Sequence, residues 1–292
     1  MVAAARDRWA EWLAERRFGG DPEQRRRALE RLTQVRDEVL DRAELGEGET
    51  LLDVGCGEGL IGFGALEHGA GTVIFSDIST DLLDFCREAA QELGLVERCR
   101  FVEAAADDLS PLETASIDVV TTRAVLIYVR DKRAAFAEFA RVLRTGGRIS
   151  LWEPINRFGS AERHDGSFVG FPAAGVEEIA AKLWAVFAAL QPADRDPMLD
   201  FDERDLVRLA QEAGFFPIRL TLDARVEATP RRGWDGFLDT AWNPNVPTVR
   251  EAMEDALTPD ERERLTARLR PLVEGGHGVW RMALAHLSGS RP

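Results

Sequence analysis

Cysteine, tyrosine, histidine and methionine are all scarce in this chain, and positive charge is outnumbered by negative. The 292 residues include three cysteines, one tyrosine, four histidines and four methionines. Cys56, Cys86 and Cys99 are odd in number and lack C-x-x-C spacing, which supports neither a disulfide framework nor a zinc site. They read as thiols kept in a reducing compartment. Lys and Arg total 37 against 51 Asp and Glu, a net charge of −14. Binding nucleic acid calls for clustered cations to neutralise phosphates, so nucleic-acid partners are not expected. An acidic balance suits a small cationic ligand, and it is also common among soluble proteins. No apolar run is long enough to span a bilayer, so no membrane association is expected. The stretch "MVAAARDRWAEWLAERR" carries charge at every turn and has no apolar centre, unlike a secretory signal. The expected location is the cytoplasm.

What is present is an alternation. "RDRWAEWLAERRF" and "DPEQRRRALERLTQVRDEVLDRAEL" read as helices split by "FGGD", with Asp21 as N-cap and Pro22 at the first helical position. From residue 51 short apolar runs ("LLDVG", "TVIFSD", "CRFVEAA", "SIDVVTTRAV", "RISLWEP") alternate with amphipathic helices closed by glycine, such as "TDLLDFCREAAQELG" and "KRAAFAEFARVLRTGG". Such alternation predicts a parallel sheet covered on both faces. After Pro154 a polar, glycine-rich loop leads to the apolar helix "VEEIAAKLWAVFAAL". The rhythm resumes with "DERDLVRLAQEAG" and "FFPIRLTLDARVEA", is interrupted by helices over 231–275, and closes on the strand "GVWRMALAHLSG".

The segment "LLDVGCGEGLIGFGALEHGAGTVIFSDIS" (51–79) asks which ligand its glycines hold. Gly57-Glu58-Gly59-Leu60-Ile61-Gly62 satisfies G-x-G-x-x-G, the loop that seats a dinucleotide pyrophosphate on a helix N-terminus, and Asp77 stands where an acid would take ribose hydroxyls. Asp53 argues the other way. A dinucleotide loop would leave it inside a buried strand without an evident partner, at several kcal/mol. If the strand ends at Asp53 or Val54, the carboxylate lines a wider site suited to a ligand with an amino group and a sulfonium but no phosphate.

Five motifs in order, "LLDVGCGEGLIGFGAL", "VIFSDIS", "FVEAAADDL", "SIDVVTTRAVLIYV" and "EFARVLRTGGRISLWEP", resemble those of class I S-adenosylmethionine-dependent methyltransferases, above all the ubiquinone- and menaquinone-biosynthesis branch. The resemblance spans about residues 45–155. It implies a Rossmann-like, doubly wound α/β fold: a seven-stranded mixed sheet, last strand antiparallel, with helical cap insertions. The implied cofactor is S-adenosylmethionine. Gly55, Cys56, Gly57 and Gly59 would line its methionine part, with Cys56 a small filler and Asp53 near the ammonium through water. Asp77 would accept the ribose hydroxyls and Ile78 would pack on adenine. Ala106 would offer its N–H to the ring and Asp107 its carboxylate to the exocyclic amine, although Asp107 and Asp108 could equally open a short helix. Arg123 would offer its carbonyl to the ammonium, or its side chain to the substrate.

The family motifs leave the acceptor unnamed, because methyl transfer asks chiefly for alignment of a nucleophile with an activated carbon. Candidate catalytic residues are Tyr128 after the fourth strand, Glu153 at the end of the fifth, and His164 in the following loop, an exposed loop histidine being the plainer reading. Trp9, Trp12, Trp184, Trp234 and Trp242 fall outside the expected sheet, as core stripes or as walls for an aromatic acceptor. Trp9, Phe18 and the "FGGD" turn would close over the cofactor. The expected organisation is a helical lid over 1–45, a core over 46–155, an acceptor cap loop and helix over 156–200, core again over 201–230, a helical insertion over 231–275 and a final strand over 276–292. The expected partner is a small-molecule acceptor, apolar or aromatic, of secondary-metabolite type. The N-terminal helices could pair two copies as a homodimer. A nicotinamide-dependent oxidoreductase and a non-catalytic cofactor-binding protein are the rival readings.

Overall fold

The computed structural model describes residues 6–160 and 166–292. Its centre is a seven-stranded sheet built from β1 (Thr50–Val54), β2 (Thr72–Asp77), β3 (Cys99–Glu103), β4 (Ile117–Arg123), β5 (Leu143–Pro154), β8 (Ile218–Ala228) and β9 (Val279–Ser290). The order is β3-β2-β1-β4-β5-β9-β8. β1 to β5 run parallel, and β9 is inserted antiparallel between β5 and β8. This is the expected mixed, doubly wound sheet with its last strand reversed. The strand order changes direction at β1 and β4, and ligands of open α/β sheets sit at the carboxyl ends of strands beside such a switch.

The helices follow from local signals. α3 (Leu60–Glu67) starts on the glycine turn, and α4 (Thr80–Glu92) is capped by Ser79, whose hydroxyl accepts from Leu82 N. α5 (Lys132–Val142) is capped by Asp131. It stops at Val142, short of the expected double glycine, because Leu143 turns extended and pairs with Ile117 in the sheet. α8 (Glu203–Glu212) opens on a capping box between Asp202 and Asp205.

The cap has its own interior. α7 (Glu177–Leu190), α9 (Trp234–Leu238), α10 (Val249–Ala256), α11 (Pro259–Gly275) and a hairpin of β6 (Ser167–Phe168) and β7 (Phe171–Pro172) surround Phe168, Leu183, Phe187, Phe237, Leu265 and Leu269. Here the expected lid over 1–45 divides. α1 (Arg8–Glu11) and a π-helical turn (Trp12–Arg16) join the cap: Trp12 is buried in its core and donates Nε1–H to the Ala241 carbonyl at 2.7 Å. α2 (Pro22–Arg42) instead lies on the sheet, with Val39 and Leu40 in the core against α3, and Ser150 Oγ donates to the Val39 carbonyl at 2.8 Å. The "FGGD" break separates two elements that bury their apolar faces against different layers. Among the described residues no helix is long and apolar enough to cross a membrane.

Candidate active site

The turn after β1 is drawn tight from both sides. Gly55, Gly57 and Gly59 all have positive φ, a region where a Cβ meets the backbone. At Gly55 the reason is also contact: a Cβ there would stand 2.5 Å from Val125 Cγ2, in the turn after β4. The Gly57 N–H donates to Asp77 Oδ2 at 2.9 Å, and Asp77 Oδ1 accepts from Ser79 N at 3.0 Å. One carboxylate at the end of β2 therefore ties the first turn to the second. Burial raises its pKa, against the opposing pull of the N–H donors. Beneath the turn Cys86 Sγ lies 3.3 Å and Cys56 Sγ 3.8 Å from the Gly57 carbonyl, both cysteines buried, which fits Cys56 as a filler.

Asp53 departs from expectation. It lies within β1, only 2% exposed, and it has partners: Oδ2 accepts from Gly62 N at 3.0 Å, and Thr121 Oγ1 lies 3.3 Å from Oδ1. The unpaired-carboxylate argument against a dinucleotide thus fails. Its position makes a different argument. The carboxylate already occupies an N–H of the first turn of α3, where a pyrophosphate would otherwise sit. Burial pushes its pKa up to about 7.

Ile78 is 49% exposed beside Asp77. In the turn after β3, Ala106 is buried and Asp107 half-buried. Asp108 points away, accepting from Ser110 N at 3.1 Å. A turn closed by Asp108 N on the Ala105 carbonyl stands where a short helix was the alternative, so neither acid is a helix cap.

Glu153 and Tyr128 come together at the other edge. Glu153 is fully buried, and its Oε1 accepts from Thr122 Oγ1 at 2.8 Å and from Val125 N at 3.1 Å. It clamps the turn (124–127) that carries Tyr128. Its Oε2 has no hydrogen-bond partner among the described residues. Burial lifts its pKa to about 7 and that of Tyr128 to about 12, so the phenol stays protonated at neutral pH and can donate. Tyr128 meets Trp9 edge-on, ring centroids 4.9 Å apart. Arg123 ends β4, its guanidinium lowered to about 10 by burial and by Arg17, against the pull of Asp53, Glu153 and Glu58. His164 lies outside the described residues.

Several participants carry no obvious sequence signal. Asp7 caps α1 through Trp9 N and Ala10 N, and its second oxygen accepts from Ser79 Oγ at 2.5 Å. Asp7 N donates to Asp81 Oδ2 at 2.5 Å. Leu13 is the atom group nearest a Cβ built on Gly57, at 3.7 Å. Arg17 stacks over Trp12 and Phe18, 5.3 Å from each ring centroid. Trp9 therefore sits at the site, whereas Trp12, Trp184, Trp234 and Trp242 pack in or against the cap core. His286 lies on β9 with its side chain buried, its Nε2 3.0 Å from Ser150 Oγ of the neighbouring β5. Among the described residues no cluster of His, Cys, Asp or Glu could hold a metal ion.

Residues 52–151 match the model of a methyltransferase domain. The ubiquinone/menaquinone biosynthesis C-methyltransferase UbiE of Klebsiella pneumoniae is 30% identical over 182 residues, covering 61% of this chain and 70% of that protein. The tRNA 5-carboxymethoxyuridine methyltransferase of Escherichia coli is 34% identical over 143 residues, 49% of this chain and 53% of that one. The chain thus spans about half the length of several curated relatives it matches. The structure of geranyl diphosphate methyltransferase in complex with S-adenosylmethionine superposes with a TM-score of 0.53, at 20% identity over 94% of each chain, a likeness of fold. With its glycine turn, its terminal acid on β2 and its reversed last strand, this chain belongs to the class I S-adenosylmethionine-dependent methyltransferases.

Proposed function

We propose that the chain transfers a methyl group from S-adenosylmethionine to a small organic acceptor with an apolar or aromatic body, of the secondary-metabolite kind. The observation that carries this reading is the acid at the head of α3. With Asp53 on Gly62 N and Asp77 on Gly57 N, the two N–H donors are occupied by carboxylates, which suits a phosphate-free adenosine with a cationic sulfur. Asp77 keeps free lone pairs for two ribose hydroxyls. Ile78 offers an apolar surface to adenine, and Ala106 N–H and the Asp107 carboxylate address its edge. Gly55, Cys56, Gly57 and Gly59 shape the floor under the methionine part, and the Arg123 carbonyl faces its ammonium. Asp53 acts one layer below, as a brace.

When bound, the sulfonium supplies a methyl carbon that needs no further activation. The chain's own contribution is alignment and proton handling. Glu153 has one oxygen engaged and the other buried without a partner, so it takes the acceptor's proton through a water, and a pKa of about 7 suits that role. Tyr128 donates a hydrogen bond to the acceptor, and Trp9 walls it in. The net charge of −14 supports a small molecule over a nucleic acid.

Calorimetry with S-adenosylhomocysteine and with NADH tests the cofactor. Binding of the homocysteine nucleoside alone is expected, and binding of NADH alone overturns the reading in favour of an oxidoreductase. Incubation with labelled S-adenosylmethionine and metabolite extracts, followed by mass spectrometry, tests the transfer. A product one methylene heavier is expected. Label retained wholly in the cofactor would leave a protein that binds without catalysing.

A further inference from the structure

β8 is the outer edge of the sheet, with β9 on one side and, among the described residues, no strand on the other. It is long and regular: its register with β9 runs unbroken from Ile218 to Ala228, without proline, glycine or bulge. It also alternates strictly. Ile218, Leu220, Leu222, Ala224, Val226 and Ala228 share one face, while Arg219, Thr221, Asp223, Arg225 and Glu227 share the other. Ile218 and Leu220 pack on the core, but Leu222 is 39% and Val226 59% exposed. Val279, which pairs with Ala228 and so shares the apolar face, is 40% exposed. Proteins ordinarily blunt such an edge with a bulge, a proline or a covering element, because its open N–H and C=O groups invite another strand.

We infer that a second copy of this chain closes the edge, β8 pairing antiparallel with β8 about a two-fold axis through Ala224. A two-fold contact must be self-complementary, and the charge pattern selects the register. With Ala224 on the axis, Asp223 stands opposite Arg225 of the second copy and Leu222 opposite Val226, each pair occurring twice. The apolar stripes of the two copies then join into one patch. Moving the axis to Asp223 or Arg225 sets that charge against itself, and moving it to Leu222 sets Arg219 against Arg225, each unfavourable across a strand pair. An axis at Val226 keeps Arg225 against Glu227 but leaves only 224–228 of the strand paired. In the single chain Asp223 Oδ1 accepts from Arg225 Nε at 3.0 Å, so pairing exchanges one partner for an equivalent one. β5 and β9 separate β8 from β4, so the contact does not use the turns of the active site.

Sedimentation equilibrium of the full chain tests this. The expected mass is twice the 32.4 kDa of one chain. Asp223→Arg and Arg225→Asp, each checked for native circular dichroism, are expected to weaken the dimer about tenfold or more, from two like-charge pairs, and their combination to restore it. Under oxidised glutathione, Ala224→Cys is expected to form a disulfide dimer. Ala228→Cys is not, because residues four places from the axis lie about 27 Å apart across it. A 32.4 kDa species at high micromolar concentration overturns the inference. So does a dimer indifferent to both charge reversals, or one that fails to cross-link at Ala224→Cys.

Discussion

Gly55→Ala tests how tightly the turn after β1 is held against the turn after β4. Gly55 has φ +63°, and a left-handed backbone costs an alanine about 1–2 kcal/mol. The new Cβ would stand 2.5 Å from Val125 Cγ2 and 3.1 Å from Cγ1. Val125 is held from behind, since its N–H donates to the buried Glu153 at 3.1 Å. Forcing that side chain aside adds about 1–3 kcal/mol, as overpacking does. The expected total is about 2–5 kcal/mol, read as a lower urea midpoint at unchanged m-value. Val125→Ala removes the overlap but not the backbone strain. In the double mutant about 1–3 kcal/mol of coupling should therefore be recovered, while the remaining loss persists. A loss below about 0.5 kcal/mol for Gly55→Ala, or no coupling with Val125→Ala, would refute the reasoning.

The buried acids set a pH dependence of unusual sign. Asp53 and Glu153 rise to about 7 from ordinary values of 3.8 and 4.5, so in that window the folded chain holds protons that the unfolded chain has released. Their contribution to stability is full below about pH 4 and declines as pH rises towards 7. Urea titrations should show Asp53→Asn and Glu153→Gln flattening that decline, and wild-type and variant curves that run parallel from pH 4 to 7 would contradict it. Asp7→Ala removes both the cap of α1 and the bond to Ser79; a stability loss of about 1 kcal/mol and a red shift in Trp9 emission are expected, and an unchanged spectrum would count against docking of the N-terminal element. Lys132 is buried and donates to the Val129 and Pro197 carbonyls and to Asp200. Lys132→Met should lower stability by about 2–3 kcal/mol in thermal or urea unfolding, because two carbonyls and a carboxylate lose their donor.

The sheet was legible because its signals are local. Apolar runs of strand length, glycine stops and an acid closing "VIFSD" need no knowledge of what they touch. Pairings across the chain left no such trace. Asp7 carries no signal of its own among the charges of "RDRWAEWLAERRF", yet it caps α1 and its other oxygen reaches Ser79, 72 residues away. Asp53 looked unpartnered because Gly62 N becomes its donor only when α3 folds back over β1. Glu153 reads as a strand-end acid beside a cleft, while its clamp on Val125 depends on β4 and β5 lying in register. The division at "FGGD" failed to announce which layer each helix would join, since both carry apolar stripes of similar kind.

The cap's separate interior has a consequence for how such a chain diversifies. Phe187, Leu183 and Trp234 are sealed in one apolar cluster, and the glycine turn rests on another built from Leu51, Phe75 and Cys86. A substitution inside the first leaves the packing beneath the second untouched. On the proposed function, the cap that walls the acceptor can change shape while the nucleoside cradle stays as it is. One scaffold can thereby be retuned to new molecules without relearning how to hold its methyl source.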